Sequence, residues 1–347
     1  MSETNPPSPP QPPMPDSLTA HPPGPQPQTL ERIVAKAFIG PNGIRAGWRL
    51  TIFIIIVIAL GAGLTLIAAK ITGQPPGPPP AGALTPRLAL LNEGLMFFIV
   101  LFASWVMSKI EGRRIADYGL PAERAFRGQF WQGTAIGFAS ITALLVAMRL
   151  AGVFRFGTIG LHGFVAWNYA AAWGVAFLFV GFFEEFFIRG YPLFTLTTGM
   201  GFWPSAILLS AIFGLGHRGN SGESWVGVFC AGAVGLVFCL ILRRTGNLWM
   251  AIGFHAAWDW GETYFYGVPD SGLVAQGHLF NPSISGPAWL TGGSVGPEGS
   301  WLCLALLVVL WIILALWLRE KKYPNPDAIR DPRRAGLTKQ HELSLNL

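Results

Sequence analysis

The amino-acid sequence predicts an all-α, polytopic membrane protein with about eight transmembrane helices and an active site buried in the helix bundle. Of the 347 residues, 51% are hydrophobic and 12% are charged, whereas soluble domains carry about 25% charged residues. Several apolar runs reach about 20 residues, the length of one helical crossing of a bilayer. Ionisable side chains interrupt the runs of the second half, and at membrane depth such residues by default indicate a functional site.

Eight apolar spans follow one another along the chain. They cover approximately Leu50–Ala69, Leu88–Met107, Trp131–Leu150, a run from Phe164 through Glu185, Trp203–His217, Trp225–Leu242, Leu248–Tyr266 and Ser300–Leu318. Arg and Lys cluster before the first span, between the second and third, between the sixth and seventh, and after the eighth, whereas residues 267–299 contain none. Under the positive-inside rule, this pattern predicts a multi-pass protein of the cell membrane, typical of a prokaryotic inner membrane, with both termini cytoplasmic.

The chain divides into four predicted segments. Residues 1–29 contain eleven prolines and are predicted to be a disordered tail, because such a segment buries too little apolar surface to offset its ordering entropy. Residues 30–163 hold the first three spans and a basic cytoplasmic loop, and residues 164–266 hold spans four to seven, the catalytic core. Residues 267–347 hold an extracytoplasmic loop, the last span and a polar C-terminal tail. The net charge of +6 does not indicate nucleic-acid binding, because the basic residues flank the spans.

Two adjacent carboxylates, Glu184 and Glu185, end the long apolar run of span four. Glu185 and Arg189 are four residues apart with the glutamate first, the favourable orientation for an ion pair on one helix face. Glu184 is rotated by about 100° from Glu185 and lacks that partner. We therefore expect Arg189 to hold Glu185 in a structural ion pair, and Glu184 to point into a cavity and perform the chemistry.

Three more ionisable residues interrupt later spans: His217, and then His255 and Asp259, which share one helix face. If spans four and five form a hairpin turning near residues 198–201, Glu184 and His217 lie at similar depth and could meet. Two kinds of site suit these groups. Glu184, His217, His255 and Asp259 could ligate one zinc ion with an open water position. Alternatively, no cofactor is used: Glu184 with His217 activates water as general base, and His255 and Asp259 stabilise the oxyanion.

Three motifs in order, Glu184-Glu185-x-x-x-Arg189, Phe213-x-x-x-His217 and His255-x-x-x-Asp259, resemble those of the CPBP family of CAAX-prenyl-protease and bacteriocin-processing intramembrane proteases, also called the Abi family. The resemblance covers roughly residues 165–265. It implies an intramembrane endopeptidase that cleaves a membrane-associated or lipidated peptide or protein at the bilayer. Glu184 then matches the catalytic glutamate, His217 its partner in activating water, and His255 the histidine of the oxyanion or metal site.

One position departs from the family pattern, since the third motif often ends in asparagine and this chain has Asp259. An ionised aspartate cannot donate a hydrogen bond to an oxyanion, so Asp259 must be protonated, orient His255 or ligate a metal. Two other functions stay open at this point. One is a catalytically inactive relative that acts as a membrane scaffold or self-protection protein. The other is a proton-coupled transporter, for which we find no internal repeat of the expected kind.

Overall fold

The computed structural model describes residues 37–40, 43–73, 84–220 and 222–323. The predicted tail of residues 1–29 and the polar segment from residue 324 onward lie outside the described residues. The helices are α1 (Ala46–Thr72), α2 (Pro86–Glu111), α3 (Gly128–Leu150), α4 (Gly163–Glu185), α5 (Tyr191–Met200), α6 (Phe202–His217), α7 (Trp225–Thr245), α8 (Trp249–Asp259), α9 (Ala288–Thr291) and α10 (Trp301–Trp317). The strands are β1 (Ile39–Gly40), β2 (Gly43–Ile44), β3 (Phe154–Ile159) and β4 (Phe280–Ile284).

The predicted all-α polytopic membrane fold is confirmed. Five helical segments are long and apolar enough to cross a membrane: Ala46–Ile71, Pro86–Glu111, Gly128–Leu150, Gly163–Met200 and Trp225–Thr245. Helices α6 and α10 are shorter apolar helices. The seventh predicted span is α8 followed directly by a π-helical segment, Trp260–Tyr266. Every predicted span therefore coincides with helical structure in the described residues.

Several helices begin at residues whose side chains satisfy free backbone N–H groups. Thr85 precedes α2 and accepts from Leu88 N at 3.2 Å, with Pro86 at the first helical turn. Ser224 accepts from Gly227 N at 3.0 Å at the start of α7. Because the first turn of a helix leaves such donors without an intrahelical partner, Ser and Thr are favoured at these positions.

Close contact between α3 and α8 depends on small residues. A Cβ atom at Gly133 would lie 2.0 Å from Met250 O, and one at Gly137 would lie 2.1 Å from Phe254 O. Gly133 and Gly137 are four apart, the spacing that lets two membrane helices approach backbone to backbone. This contact sets the position of α8, which carries His255, relative to the rest of the bundle.

The structure contains a small sheet that the sequence analysis does not predict. Strand β3 follows α3 and pairs antiparallel with β4, which lies in the segment 267–299 predicted as a loop; Phe154 pairs with Ile284 and Ile159 with Phe280. Backbone polar groups need partners wherever they are not exposed to water, and this pairing supplies them across a segment with no long apolar run. The predicted loop of residues 267–299 thus contains one short strand, which pairs with a strand that precedes α4.

The basic segments meet at one end of the bundle. Arg49 Nη1, before the apolar part of α1, lies 2.9 Å from Glu111 Oε2 at the end of α2. Lys322 N, after α10, donates to Arg243 O at 2.9 Å. Segment 267–299, which has no Arg or Lys, lies at the opposite ends of α8 and α10. We call these the basic end and the loop end.

Candidate active site

A cavity of about 500 Å³ lies inside the bundle. Glu184, His217, His255 and Asp259, which the sequence analysis predicts to be site residues, all line it. Much of the remaining wall is apolar and comes from α4, α6, α7 and α10. A few polar groups thus converge on an apolar pocket, the common form of a ligand or active site.

The two adjacent glutamates face different surroundings. Helix α4 ends at Glu185, and one π-helical segment, Phe186–Gly190, connects it to α5. Such single π turns within α-helices often occur at functional sites. The Glu184 side chain is 25% exposed and lines the cavity, whereas the Glu185 side chain is fully buried. The carboxylate of Glu184 is therefore accessible to water and substrate, and that of Glu185 is not.

One oxygen of Glu185 holds side chains from two helical segments. Glu185 Oε1 accepts hydrogen bonds from Arg189 Nη1 at 3.0 Å and from His255 Nδ1 at 2.9 Å. The guanidinium carbon of Arg189 lies 4.4 Å from the ring centre of Phe213 and 5.6 Å from that of Phe238, within the range of a cation–π contact. Because Nδ1–H of His255 is donated to Glu185, the other ring nitrogen, Nε2, is left for the cavity.

Two carboxylates flank that free nitrogen. His255 Nε2 lies 3.6 Å from Glu184 Oε2 and 3.6 Å from Asp259 Oδ2. The ring of Phe238 stacks on the imidazole with a centroid distance of 5.4 Å. The ring plane of His255 is thus held by Glu185 on one edge and Phe238 on one face.

His217 ends α6 on another part of the cavity wall. Its Nδ1 lies 2.9 Å from Phe213 O, and since a carbonyl oxygen only accepts, Nδ1 is the donor there and Nε2 remains free. The rings of Phe213 and His217 meet edge to face at 4.6 Å. Phe213 therefore contacts both Arg189 and His217, which gives a physical reason for the Phe-x-x-x-His spacing.

The chain turns between α5 and α6 at Gly201, whose φ of 85° is the left-handed conformation that favours glycine. This is the turn expected from the sequence, and it brings Glu184 and His217 to the same cavity. In the described part of the chain, however, their nitrogen and oxygen atoms do not approach within 4.0 Å. Glu184 approaches His255 instead.

Other carboxylates reach the cavity without having been assigned a role from the sequence. Glu93, from α2, and Glu223, from the loop after α6, both line it. Glu262 is fully buried in the π-helical segment after α8. Glu93 and Glu262 are also ionisable residues inside predicted spans, and such residues by default indicate a functional site. The sequence therefore contained the information needed to single them out. Phe238 carried no such signal among 25 phenylalanines.

Glu262, Asp270 and Glu298 form a carboxylate cluster, in which one oxygen of each lies within 4.8 Å of the others. Trp258 Nε1 donates to Glu262 Oε2 at 3.0 Å and to Glu298 Oε1 at 2.9 Å. Burial, and next the neighbouring Glu298 carboxylate, raises the pKa of Asp270 to about 7. The cluster lies at the loop end, where Asp270 and Glu298 also line the cavity.

The predicted zinc ligands do not form a compact set. Zinc binds nitrogen and oxygen at about 2.0–2.2 Å, so neighbouring ligand atoms of a tetrahedral site lie about 3.4 Å apart. The pairs at His255 Nε2 are near that spacing. A compact site would bring together three or more His, Cys, Asp or Glu side chains whose ligand atoms lie within 4.8 Å of one another. Among the described residues, the group that meets this criterion is the carboxylate cluster, and it contains none of the predicted zinc ligands. Glu184, His217, His255 and Asp259 therefore do not fit a preassembled zinc site.

Comparison with protein families identifies the core of the chain. Residues 166–261 match the family of Rce1-like type II CAAX prenyl endopeptidases. The matched segment contains all three motifs, from Glu184 to Asp259, and the resemblance to the CPBP endopeptidases is confirmed. No curated protein and no solved structure matches the chain.

Proposed function

We propose how this CAAX-protease-like intramembrane endopeptidase, Rce1-like over residues 166–261, cleaves its substrate: Glu184 activates a water molecule that attacks a peptide bond held in the cavity. The observation that carries the proposal is the contact of 3.6 Å between Glu184 Oε2 and His255 Nε2 at the cavity wall. A partly exposed carboxylate and an oriented imidazole meet at this point. Hydrolysis of a peptide bond by water needs such a pair, one group to activate the water and one to stabilise the oxyanion.

In this mechanism Glu184 accepts a proton from water, and the water oxygen bonds to the substrate carbonyl carbon. The tetrahedral intermediate collapses with cleavage of the carbon–nitrogen bond, and Glu184 returns the proton to the leaving amine. His217, with Nδ1 committed to Phe213 O, presents Nε2 to the same cavity and orients the attacking water as the partner of Glu184.

The oxyanion is stabilised by His255. Since Nδ1 donates to buried Glu185, Nε2 can donate to the reacting carbonyl only when His255 is the doubly protonated, positively charged imidazolium. In that state Nε2–H is the hydrogen-bond donor for the oxyanion. Asp259 Oδ2, 3.6 Å from the same Nε2, keeps the imidazole in place and must be neutral to donate to the oxyanion itself. Asp259→Asn restores the common family pattern, and we expect this variant to keep its proteolytic activity.

The substrate class is a membrane-associated or lipidated peptide. The active carboxylate lies in a cavity inside a bundle of membrane-spanning helices, and the apolar part of its wall suits an apolar chain or side chain next to the cleaved bond. A water-soluble peptide without such a group would lose the binding energy of that wall.

The first test is cleavage of an internally quenched, lipidated peptide by the purified protein in detergent. Glu184→Gln should lower kcat by at least about 100-fold, the usual range for removal of a general base. Glu123→Gln, which removes an exposed carboxylate outside the cavity, serves as the matched control and should cleave like the parent. Undiminished cleavage by Glu184→Gln would overturn the mechanism, and a folded parent that cleaves no peptide would favour the scaffold function.

The alternative of one catalytic zinc ion predicts a different result in the same assay. Two results would make this a metallopeptidase with Glu184, His217, His255 and Asp259 as ligands. The parent would contain stoichiometric zinc that Glu184→Gln lacks, and inhibition by a chelator would be reversed only by added zinc. The glutamate mechanism predicts zinc-free activity. Among the described residues, no three of these four side chains have ligand atoms within 4.8 Å of one another, which supports the glutamate mechanism.

For the membrane orientation, we propose that both termini and the basic end face the cytoplasm, in the cell membrane. The meeting of the basic segments at one end supports this. Cys230, Cys239 and Cys303 are buried, so single cysteines at the exposed positions Ser294 and Lys321 can be labelled selectively. An impermeant maleimide applied to the outside of cells should label Ser294→Cys and spare Lys321→Cys.

A further inference from the structure

The carboxylate cluster joins three parts of the chain at the loop end. Glu262 lies in the π-helical segment after α8, Asp270 in the following loop, and Glu298 just before α10. Thr263 donates to Asp270 Oδ2 at 2.9 Å, and Ser271 donates to Glu298 Oε2 at 2.7 Å. The two hydroxyl groups and the indole N–H of Trp258 thus provide three hydrogen-bond donors for three carboxylates.

Among the described residues, no cationic side chain forms an ion pair with this cluster. Within the part of the chain that the structure describes, no Arg, Lys or His nitrogen lies within 4.0 Å of the three carboxylates. Like charges at this spacing in a buried place repel strongly, so the cluster needs a bound cation or bound protons.

One oxygen of the cluster is also left without a partner. Glu262 is fully buried, and its Oε1 has no hydrogen-bond partner although Oε2 of the same carboxylate accepts from Trp258. A buried carboxylate oxygen with no donor is costly, and a metal ion is one ligand that satisfies it. This orphaned oxygen is independent of the acidic composition and points to a missing ligand.

We propose that Glu262, Asp270 and Glu298 bind a hard divalent cation, Ca²⁺, which ties the loop end of span seven to the start of α10. All available donors are oxygens, and the set contains neither imidazole nor thiolate, which favours Ca²⁺ over zinc or copper. Calcium also accepts irregular geometry and completes its 6–8 ligands with water, and the adjoining cavity can supply water. The site is separate from Glu184 and does not rest on the proposed proteolytic mechanism.

The cation has a consequence for the interpretation of chelation. Trp258, which contacts two of the three carboxylates, directly precedes Asp259 in the chain and lines the same cavity. Removal of calcium would loosen this wall and lower activity without any metal at Glu184. Sensitivity to a chelator alone would therefore not identify a metalloprotease.

The test measures binding directly on the full-length protein in detergent after treatment with EDTA and desalting. Equilibrium dialysis with ⁴⁵Ca²⁺ should give one site per chain, and the melting temperature should rise with added Ca²⁺ and saturate. Asp270→Asn and Glu298→Gln should each weaken binding by about tenfold or more, because affinity follows the number of charged ligands. Glu223→Gln, a cavity carboxylate outside the cluster, and Glu184→Gln should bind like the parent.

Three outcomes would overturn the proposal. The first is a parent protein that binds no calcium at millimolar concentration, because the cluster would then hold protons instead. The second is parent-like binding by folded Asp270→Asn and Glu298→Gln. The third is loss of binding in Glu184→Gln, which would move the metal to the predicted zinc set. Since the parent measurement needs no variant, misfolding of a variant cannot hide the answer.

Discussion

Glu185 and His255, which are 70 residues apart in the chain, are joined by a hydrogen bond of 2.9 Å between Oε1 and Nδ1. The same oxygen accepts from Arg189 Nη1 at 3.0 Å, so the second glutamate of the Glu-Glu pair positions the imidazole that faces the first. The motif thereby couples a buried ion pair to the orientation of a cavity residue.

Glu185→Gln should destabilise the protein by about 3–5 kcal/mol, since it leaves the buried charge of Arg189 uncompensated. Denaturant unfolding in detergent would measure this loss. Glu184→Gln is the matched control because the neighbouring carboxylate is partly exposed and unpaired with Arg189, and it should unfold like the parent. Parent-like unfolding of Glu185→Gln would show that the ion pair does not contribute to stability.

Gly235→Ala should also destabilise the protein. A Cβ atom at this position of α7 would lie 2.6 Å from Nη2 of Arg189, so the buried guanidinium that pairs with Glu185 must shift. At Gly232, one turn earlier, the nearest atom to an added Cβ is 3.4 Å away, and alanine there should be neutral or stabilising because of its higher helix propensity. In thermal melts we expect a lower melting temperature for Gly235→Ala than for the parent, and an equal or higher one for Gly232→Ala.

Gly137→Ala should lower proteolytic activity as well as stability. An added Cβ would lie 2.1 Å from Phe254 O, which forces α8 to shift and so disturbs the 3.6 Å contact between His255 and Glu184. Gly128→Ala, at the start of the same helix, meets nothing within 4 Å. The peptide assay and a thermal melt on both variants would check this, and an active, stable Gly137→Ala would contradict the close contact of α3 and α8.

Glu111→Gln should lower stability while leaving the specific activity of the folded protein unchanged. Glu111 is nearly buried, contacts Arg49 at 2.9 Å and Arg113 at 3.6 Å, and accepts from the Tyr191 hydroxyl. It thereby joins three helical segments at the basic end, far from the cavity. The exposed pair Glu320–Lys322 offers the control Glu320→Gln, since exposed pairs contribute little. Equal melting temperatures for the two variants would contradict this role.

Glu223 should make stability depend on pH. Burial raises the pKa of Glu223, so at pH values between the pKa of the unfolded and of the folded state only the folded chain still holds the proton. The stability from this proton is present below the ordinary glutamate pKa and is lost as pH rises through the raised value. Glu223→Gln should therefore gain stability relative to the parent as pH increases, and unfolding curves at several pH values would test this. A constant difference would contradict the raised pKa.

The positions of the spans follow from the sequence because bilayer thickness sets the length of an apolar run, and all eight predicted spans are helical. Contacts between distant segments do not follow in the same way. The bond between Glu185 and His255 depends on how α4 and α8 pack, and that packing depends on which glycines meet a backbone. The sequence indicates that Glu184 and His217 could meet, and both line the same cavity. Depth along a hairpin gives no information about rotation, however, and it is His255 that Glu184 contacts.

The loop end was the part least accessible to sequence reasoning. Strands β3 and β4 are short, and their paired ends Ile159 and Phe280 are 121 residues apart in the sequence, so no local pattern links them. Asp270 and Glu298 resemble ordinary loop carboxylates in the sequence. Only the fold brings them beside Glu262.

The π-helical segments after Glu185 and after Asp259 have a consequence for mutational scanning. A π turn closes i→i+5 hydrogen bonds, so it rotates all later residues relative to an uninterrupted α-helix, where each residue advances by about 100°. Since Tyr191–Thr197 are all buried, this rotation decides which neighbouring helix each of their side chains contacts. An alanine scan across Gly163–Met200 should therefore not follow one continuous helical period. Alignments that treat this stretch as one regular helix would assign the packing contacts of α5 incorrectly.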